Sequence, residues 1–185
     1  MIVTDLKLEG LKLLDLDRHG DNRGWFEETY NYERYKQAGI DNIFVQDNRS
    51  FSSKKGVLRG MHFQKYPYSQ AKLVRCTRGK VIDVVVDLRR NSPTYLQYEA
   101  VELSEDRVQQ LFVPQGFAHG FYCLSDDVIF EYKVDNVYSK ENERSINYLD
   151  PKLGINWNEI LKGETPILSE KDKNAKFYDE IDCNF

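Results

Sequence analysis

The chain has 185 residues, long enough for one domain over 1–185 with a sizeable core, and is 41% hydrophobic and 30% charged, the ordinary mix of a globular protein. A net charge of −4 disfavours non-specific nucleic-acid binding, so an anionic ligand requires a local cationic pocket. No apolar run approaches the length of a membrane span, which argues against a membrane partner.

Taken in chain order, Met1-Ile-Val-Thr-Asp-Leu-Lys7 lacks the charged and then apolar pattern of a secretory signal. The three cysteines, Cys76, Cys123 and Cys183, are widely spaced with no CxxC pair, so the expectation is a cytoplasmic protein with reduced thiols and no zinc site. Asn31 as N-cap opens a helix over 32–38 that Gly39 stops. Residues 43–46, 57–64, 72–77, 81–88, 98–103, 109–113, 119–124 and 128–134 are rich in β-branched and aromatic side chains and read as strands. Turn signals separate them, among them Arg78-Gly79, Asn91-Ser92-Pro93, Pro114-Gln115-Gly116 and Asp126-Asp127. From Asp150-Pro151 onward the chain is polar and irregular, and loops and short helices laid over a β core are expected there. Many short strands at close spacing predict an all-β sandwich or barrel.

One strand is irregular by its own pattern. In Val57-Leu-Arg-Gly-Met-His-Phe-Gln64, strict alternation places Arg59 and His62 on opposite faces. If both serve one pocket the strand must bulge, and Gly60 is the residue that permits it. The other reading leaves Arg59 in solvent on an edge strand.

The chain has three histidines, and a single one on an apolar strand is ordinarily structural. The company of His62 and His119 changes that. Gly56, five residues, His62, one residue, Gln64, then Lys72, six residues, Gly79 form one frame; Pro114-x-Gly116-x-x-His119 forms a second. Together they resemble the two motifs of the cupin superfamily, which implies a jelly roll (double-stranded β-helix). In metal-binding cupins the positions of His62, Gln64, Lys72 and His119 carry ligands. Here an ammonium replaces the acidic ligand, and a protonated amine cannot ligate a divalent ion. Lys72 is therefore expected to put positive charge where a metal would sit, with no metal and no cofactor.

A fixed cation beside a ketone oxygen stabilises the enolate left when an α-proton departs. An imidazole titrating near 6.5 takes such a proton at neutral pH. A tyrosine on the other face returns one with inversion, and Tyr132 is the candidate. Ordered blocks sharpen the reading: Asp21-Asn-Arg-Gly-Trp-Phe-Glu-Glu28, Phe44-Val-Gln-Asp-Asn-Arg-Ser50, Gly56 to Gln64, Gln70-Ala-Lys-Leu-Val74, Asp83-Val-Val-Val-Asp-Leu-Arg89, Ser92-Pro-Thr94, Val113 to Phe121, Tyr132-Lys133, Tyr138 and Leu168-Ser-Glu-Lys-Asp172. Over nearly its whole length the chain resembles the dTDP-4-dehydrorhamnose 3,5-epimerase family.

That resemblance implies His62 as base with Asp172 as its carboxylate partner, Tyr132 as acid, and Lys72 facing the C4 carbonyl oxygen. It implies that Arg23, Glu28, Gln46, Asp47, Asn48, Arg59, His119, Glu143 and Lys171 line the nucleotide and sugar site, and that Tyr138 stacks on thymine. The implied substrate is a dTDP-sugar, dTDP-4-keto-6-deoxyglucose, inverted at C3 and C5 for rhamnose or related deoxysugar biosynthesis. The implied assembly is a homodimer whose N-terminal region, with Arg23, reaches the partner's site. Trp25 and the loop Tyr66-Pro-Tyr68 depart from the family pattern and are expected near the substrate mouth. Competing readings are a single-carbon epimerase, a metal-dependent cupin enzyme, and a sugar-nucleotide binding module without catalysis.

Overall fold

Alternation of apolar side chains along the strands dictates two packed sheets, and the computed structural model, which describes residues 1–185, has them. In chain order the strands are β1 (Ile2–Asp5), β2 (Lys12–Asp15), β3 (Arg18–Asp21), β4 (Gly24–Glu27), β5 (Gln46–Ser52), β6 (Leu58–Gln64) and β7 (Lys72–Arg78). They continue with β8 (Lys80–Asp87), β9 (Tyr98–Ser104), β10 (Gln109–Val113), β11 (Phe117–Cys123), β12 (Val128–Val134) and β13 (Glu143–Ser145). A six-stranded sheet runs β1-β2-β10-β7-β12-β5, a five-stranded sheet runs β13-β6-β11-β8-β9, and β3 with β4 forms a separate hairpin. This is the cupin-like all-β fold that the motifs imply.

The inner faces meet in one core. Val74, Leu111, Val128 and Phe130 of the six-stranded sheet pack on Val81, Val85, Leu103, Phe117 and Phe121 of the other. Phe121 and Phe130 stack across the gap with ring centroids 4.2 Å apart. Because the side-chain period is two, Lys72, Asp83, His119 and Tyr132 share the inward faces of β7, β8, β11 and β12 with those apolar residues. Polar groups thus enter the sandwich through the register of otherwise apolar strands.

Each outer face has its own cover. Helix α1 (Tyr32–Gln37) begins at Asn31, whose side chain accepts from the Arg34 amide as an N-cap should. It lays Tyr35 on Leu14, Leu73 and Phe112 of the six-stranded sheet, with Ile40 just beyond the helix. The C-terminal layer, with helices α2 (Trp157–Leu161) and α3 (Glu170–Lys173), packs Leu153, Trp157, Ile160 and Tyr178 against Leu58, Met61, Val84, Val86 and Tyr122.

Two expectations about elements are corrected. Residues 43–45 are irregular, and the strand expected at 43–46 lies instead at Gln46–Ser52, a polar run paired with β12 at the sheet edge. Strands β1 to β4 and β13 are additional; each has three or four residues with charged side chains among them, so no apolar run announces them. The bulge is present. His62 pairs with His119 and Arg59 with Phe121, so three steps along β6 match two along β11. Gly60 sits at φ 127°, and a Cβ there would lie 2.5 Å from the Gly120 Cα.

Candidate active site

The bulge aims Arg59 and His62 into one cleft between the sheets. Two adjoining hollows of about 460 and 170 Å³ share His62, Lys72 and Tyr132. His62 and His119 come from the five-stranded sheet, Lys72 and Tyr132 from the six-stranded one, so the cleft has two chemically different walls.

His62 Nε2 lies 2.5 Å from Asp172 Oδ1. Asp172 is far along the chain, and backbone bonds bring it there: Ile167 N donates to Gly56 O at 2.8 Å, and Leu58 N donates to Ile167 O at 3.0 Å. Ser169 then caps α3, its Oγ accepting from the Asp172 amide. Burial pushes the Asp172 carboxyl up, but His62, the Ser169 hydrogen bond and the Lys171 charge together outweigh it and hold it below its ordinary value. An ionised Asp172 fixes the proton on Nε2 and leaves the Nδ1 lone pair free, the arrangement a base needs.

Lys72 is 9% exposed, and its Nζ stands 3.5 Å from His119 Nδ1. Burial pushes it down to about 8, against the pull of Asp83 and Glu143. His119 Nε2 lies 2.8 Å from Asp83 Oδ2. Burial pushes Tyr132 up against the opposing pull of Arg59, which keeps the phenol protonated at neutral pH. Arg59 itself is held by Ser52 Oγ and the Phe51 carbonyl.

The rim follows from a few side-chain struts. Lys171 pairs with Glu143 at 2.6 Å, and Tyr138 donates to Glu143 at 3.1 Å. Gln46 accepts from the Tyr138 amide and donates to Asn48. Gln64, buried, donates to the Tyr68 and Val137 carbonyls and accepts from the Ser139 amide. Its amide therefore ties the 65–68 loop to the segment bearing Tyr138. No three His, Cys, Asp or Glu side chains gather as a metal-holding group.

The structure thus brings His62, Lys72, Tyr132, Asp172, Arg59, His119, Lys171, Gln46, Asn48, Tyr138 and Glu143 to one cleft. Three of the expected residues do not line this chain's own cleft. Asp47 faces the outside of the six-stranded sheet, bound by Lys133 at 2.8 Å, because β5 alternation turns it away from Gln46 and Asn48. Glu28 holds Arg34 beside α1. Arg23 stands in the β3–β4 turn, its side chain 84% exposed and paired only with Asp21. Trp25, expected at the mouth, packs instead under Arg18 on that hairpin. Asp83, buried behind His119, was not among the residues expected at the site; its trace in the sequence is a single carboxylate inside Val81-Ile-Asp-Val-Val-Val86.

This arrangement sets an imidazole on one wall and a neutral phenol beside an ammonium on the other, which suits proton removal and return beside a carbonyl. A family model described as dTDP-4-dehydrorhamnose 3,5-epimerase matches residues 5–180. The chain is 47% identical over 164 residues to the dTDP-4-dehydrorhamnose 3,5-epimerase of Shigella flexneri, covering 88% of each chain. It superposes with a TM-score of 0.91 on the dTDP-6-deoxy-D-glucose-3,5-epimerase of Legionella pneumophila in complex with dTDP-4-keto-L-rhamnose, at 44% identity over 98% of this chain and 94% of that one. A 3'-monoepimerase from Streptomyces bikiniensis in complex with dTDP-quinovose follows at a TM-score of 0.84 and 36% identity, covering 93% of this chain and 85% of that one. The chain belongs to the dTDP-4-dehydrorhamnose 3,5-epimerase family.

Proposed function

We propose that this enzyme inverts C3 and C5 of dTDP-4-keto-6-deoxyglucose, giving dTDP-4-keto-L-rhamnose for deoxysugar biosynthesis. The observation that carries the mechanism is the placement of His62 and Tyr132 on opposite sheets with Lys72 within the same cleft. His62 Nδ1 takes the proton beside the ketone, and Asp172 steadies the imidazolium. Charge developing on the C4 oxygen is met by the Lys72 ammonium, which removes the need for a metal. Tyr132 donates to the carbon from the opposite side, inverting it; the phenolate then recovers a proton from solvent and the His62 imidazolium releases its own to solvent, which resets the pair for the second carbon. Tyr138 offers an exposed face for the base, and Arg59 a guanidinium fork for the pyrophosphate. The assembly proposed with it is a homodimer in which Arg23 completes the partner's cleft.

The test is incubation of dTDP-4-keto-6-deoxyglucose with the enzyme in deuterated water, counting deuterium at each carbon. Label at both C3 and C5 is expected. Label at one carbon alone identifies a monoepimerase, a reading favoured by the shared fold of the 3'-monoepimerase relative.

A further inference from the structure

Asp83 is a carboxylate with no apparent reason to be where it is. It is 0% exposed, on the inward face of β8 beside Val81 and Val85. Its Oδ2 meets His119 Nε2, its Oδ1 has no hydrogen-bond partner, and no lysine or arginine pairs with it directly. Burying a carboxylate so poorly compensated is costly, and an orphaned oxygen leaves its charge unspent on any local donor.

We infer that Asp83 is a positioning residue: its carboxylate fixes the His119 proton on Nε2, so that Nδ1 presents a lone pair to Lys72 and aims a charged ammonium into the cleft. The inference rests on the reading of Lys72 as the group that meets the C4 oxygen. Only one tautomer fits the contacts, since a proton on Nδ1 would point at an ammonium 3.5 Å away. Burial and the Lys72 charge push His119 down, which keeps its ring neutral and Nδ1 available. The charged and titratable groups facing Lys72 are Asp83 on β8, His119 on β11, His62 on β6, Tyr132 on β12 and Glu143 on β13. Of these, Asp83 and Glu143 favour the ammonium, and Glu143 is shared with Lys171. Asp83 thus opposes the burial that pushes Lys72 down to about 8.

Asp83→Asn retains an acceptor for His119 and deletes the charge. Titration of [15N-ζ]lysine enzyme, with the Lys72 signal assigned by Lys72→Met, is expected to fall by roughly one unit or more in Asp83→Asn. The alkaline limb of kcat should move with it while KM stays nearly constant, and turnover at pH near 8 should drop by about fivefold for a one-unit fall. In the wild-type enzyme, 15N shifts of the His119 ring should report a neutral Nε2–H tautomer. An unmoved Lys72 titration overturns the inference, and so does a His119 proton found on Nδ1, even if Asp83→Asn fails to fold. If the titration moves but the kcat profile does not, Asp83 holds the charge as inferred and the catalytic reading of Lys72 is what fails.

Discussion

His62 and Tyr132 are held by different means, and the difference predicts how each fails. His62 is tied to Asp172, so its substitution removes the base and disconnects the carboxylate; Tyr132 is held by packing, so Phe preserves its place. His62→Ala is expected to abolish deuterium incorporation at both carbons. Tyr132→Phe should let exchange with retention outlast epimerisation, because His62 still removes a proton and returns a solvent-derived one to the same face. Asp172→Asn should lower turnover by about 10²–10⁴-fold. The check is one isotope experiment by NMR; near-wild-type labelling in His62→Ala would show that the base is another residue. Lys72 makes a separate prediction. Its folded value is depressed to about 8, and the charged form is the one needed, so activity is present below that pH and lost as pH rises through it. Lys72→Met should lower kcat by roughly 10²–10³-fold with a smaller rise in KM, since the oxyanion exists mainly in the transition state. Activity should survive exhaustive chelation; loss on chelation and recovery with a divalent ion would transfer the electrophile's role from Lys72 to a metal.

At the scale of elements, β6 decides whether the cleft is assembled. Gly60 at φ 127° and Gly120 opposite it pack backbone to backbone, and a Cβ on Gly120 would meet Arg59 O at 2.7 Å. Gly60→Ala is expected to destabilise by at least the roughly 1–3 kcal/mol of an unfavourable backbone conformation, and to cost activity beyond that by turning His62 from Asp172. Urea unfolding beside kcat measures both; wild-type kcat in a destabilised variant would mean the bulge serves stability alone. Much of this was legible in the sequence because burial leaves a periodic trace. The conflict between Arg59 and His62 in one alternating strand pointed to the bulge, and Asn31 with Gly39 bounded α1. The unreadable parts lack that trace. Strand β5 is polar because it is an edge whose pairing is backbone to backbone with β12, and β1 to β4 are too short to show a period. Asp172 was named through resemblance, since nothing local in residues 167–172 says that Ile167 will bridge to Gly56 and Leu58. The outward turn of Asp47 was not legible because its neighbours in the block, Gln46 and Asn48, face the cleft and a one-residue step reverses the side.

At the scale of the molecule, the two outer faces are covered unequally, and that asymmetry argues for a second copy. The five-stranded sheet lies under the C-terminal layer, whereas α1 covers only part of the six-stranded sheet. The remainder shows Phe51 at 54% exposure, and beside it the β3–β4 hairpin carries Trp25 at 61% and Phe26 at 69%. A hollow of about 680 Å³ bounded by Trp25, Arg18, Arg49, Arg75 and Glu131 separates the hairpin from that face. Large aromatics left in water on a projecting hairpin are the signature of a surface meant to be buried, and a two-fold interface buries both hairpins at once. Such an arrangement also gives Arg23 a purpose, since within its own chain it reaches no cleft residue. A dimeric mass is expected by sedimentation equilibrium, and a fully active monomer would end the proposal. Mixing chains tests the sharper claim. Arg23→Ala dimers and His62→Ala dimers should each be nearly inactive, but a mixed dimer in which Arg23 crosses the interface contains one site with both residues intact. Random reassortment at equal amounts should therefore restore about a quarter of wild-type turnover. If Arg23 serves its own chain, every site in the mixed dimer lacks one residue or the other. Reassortment would then restore nothing.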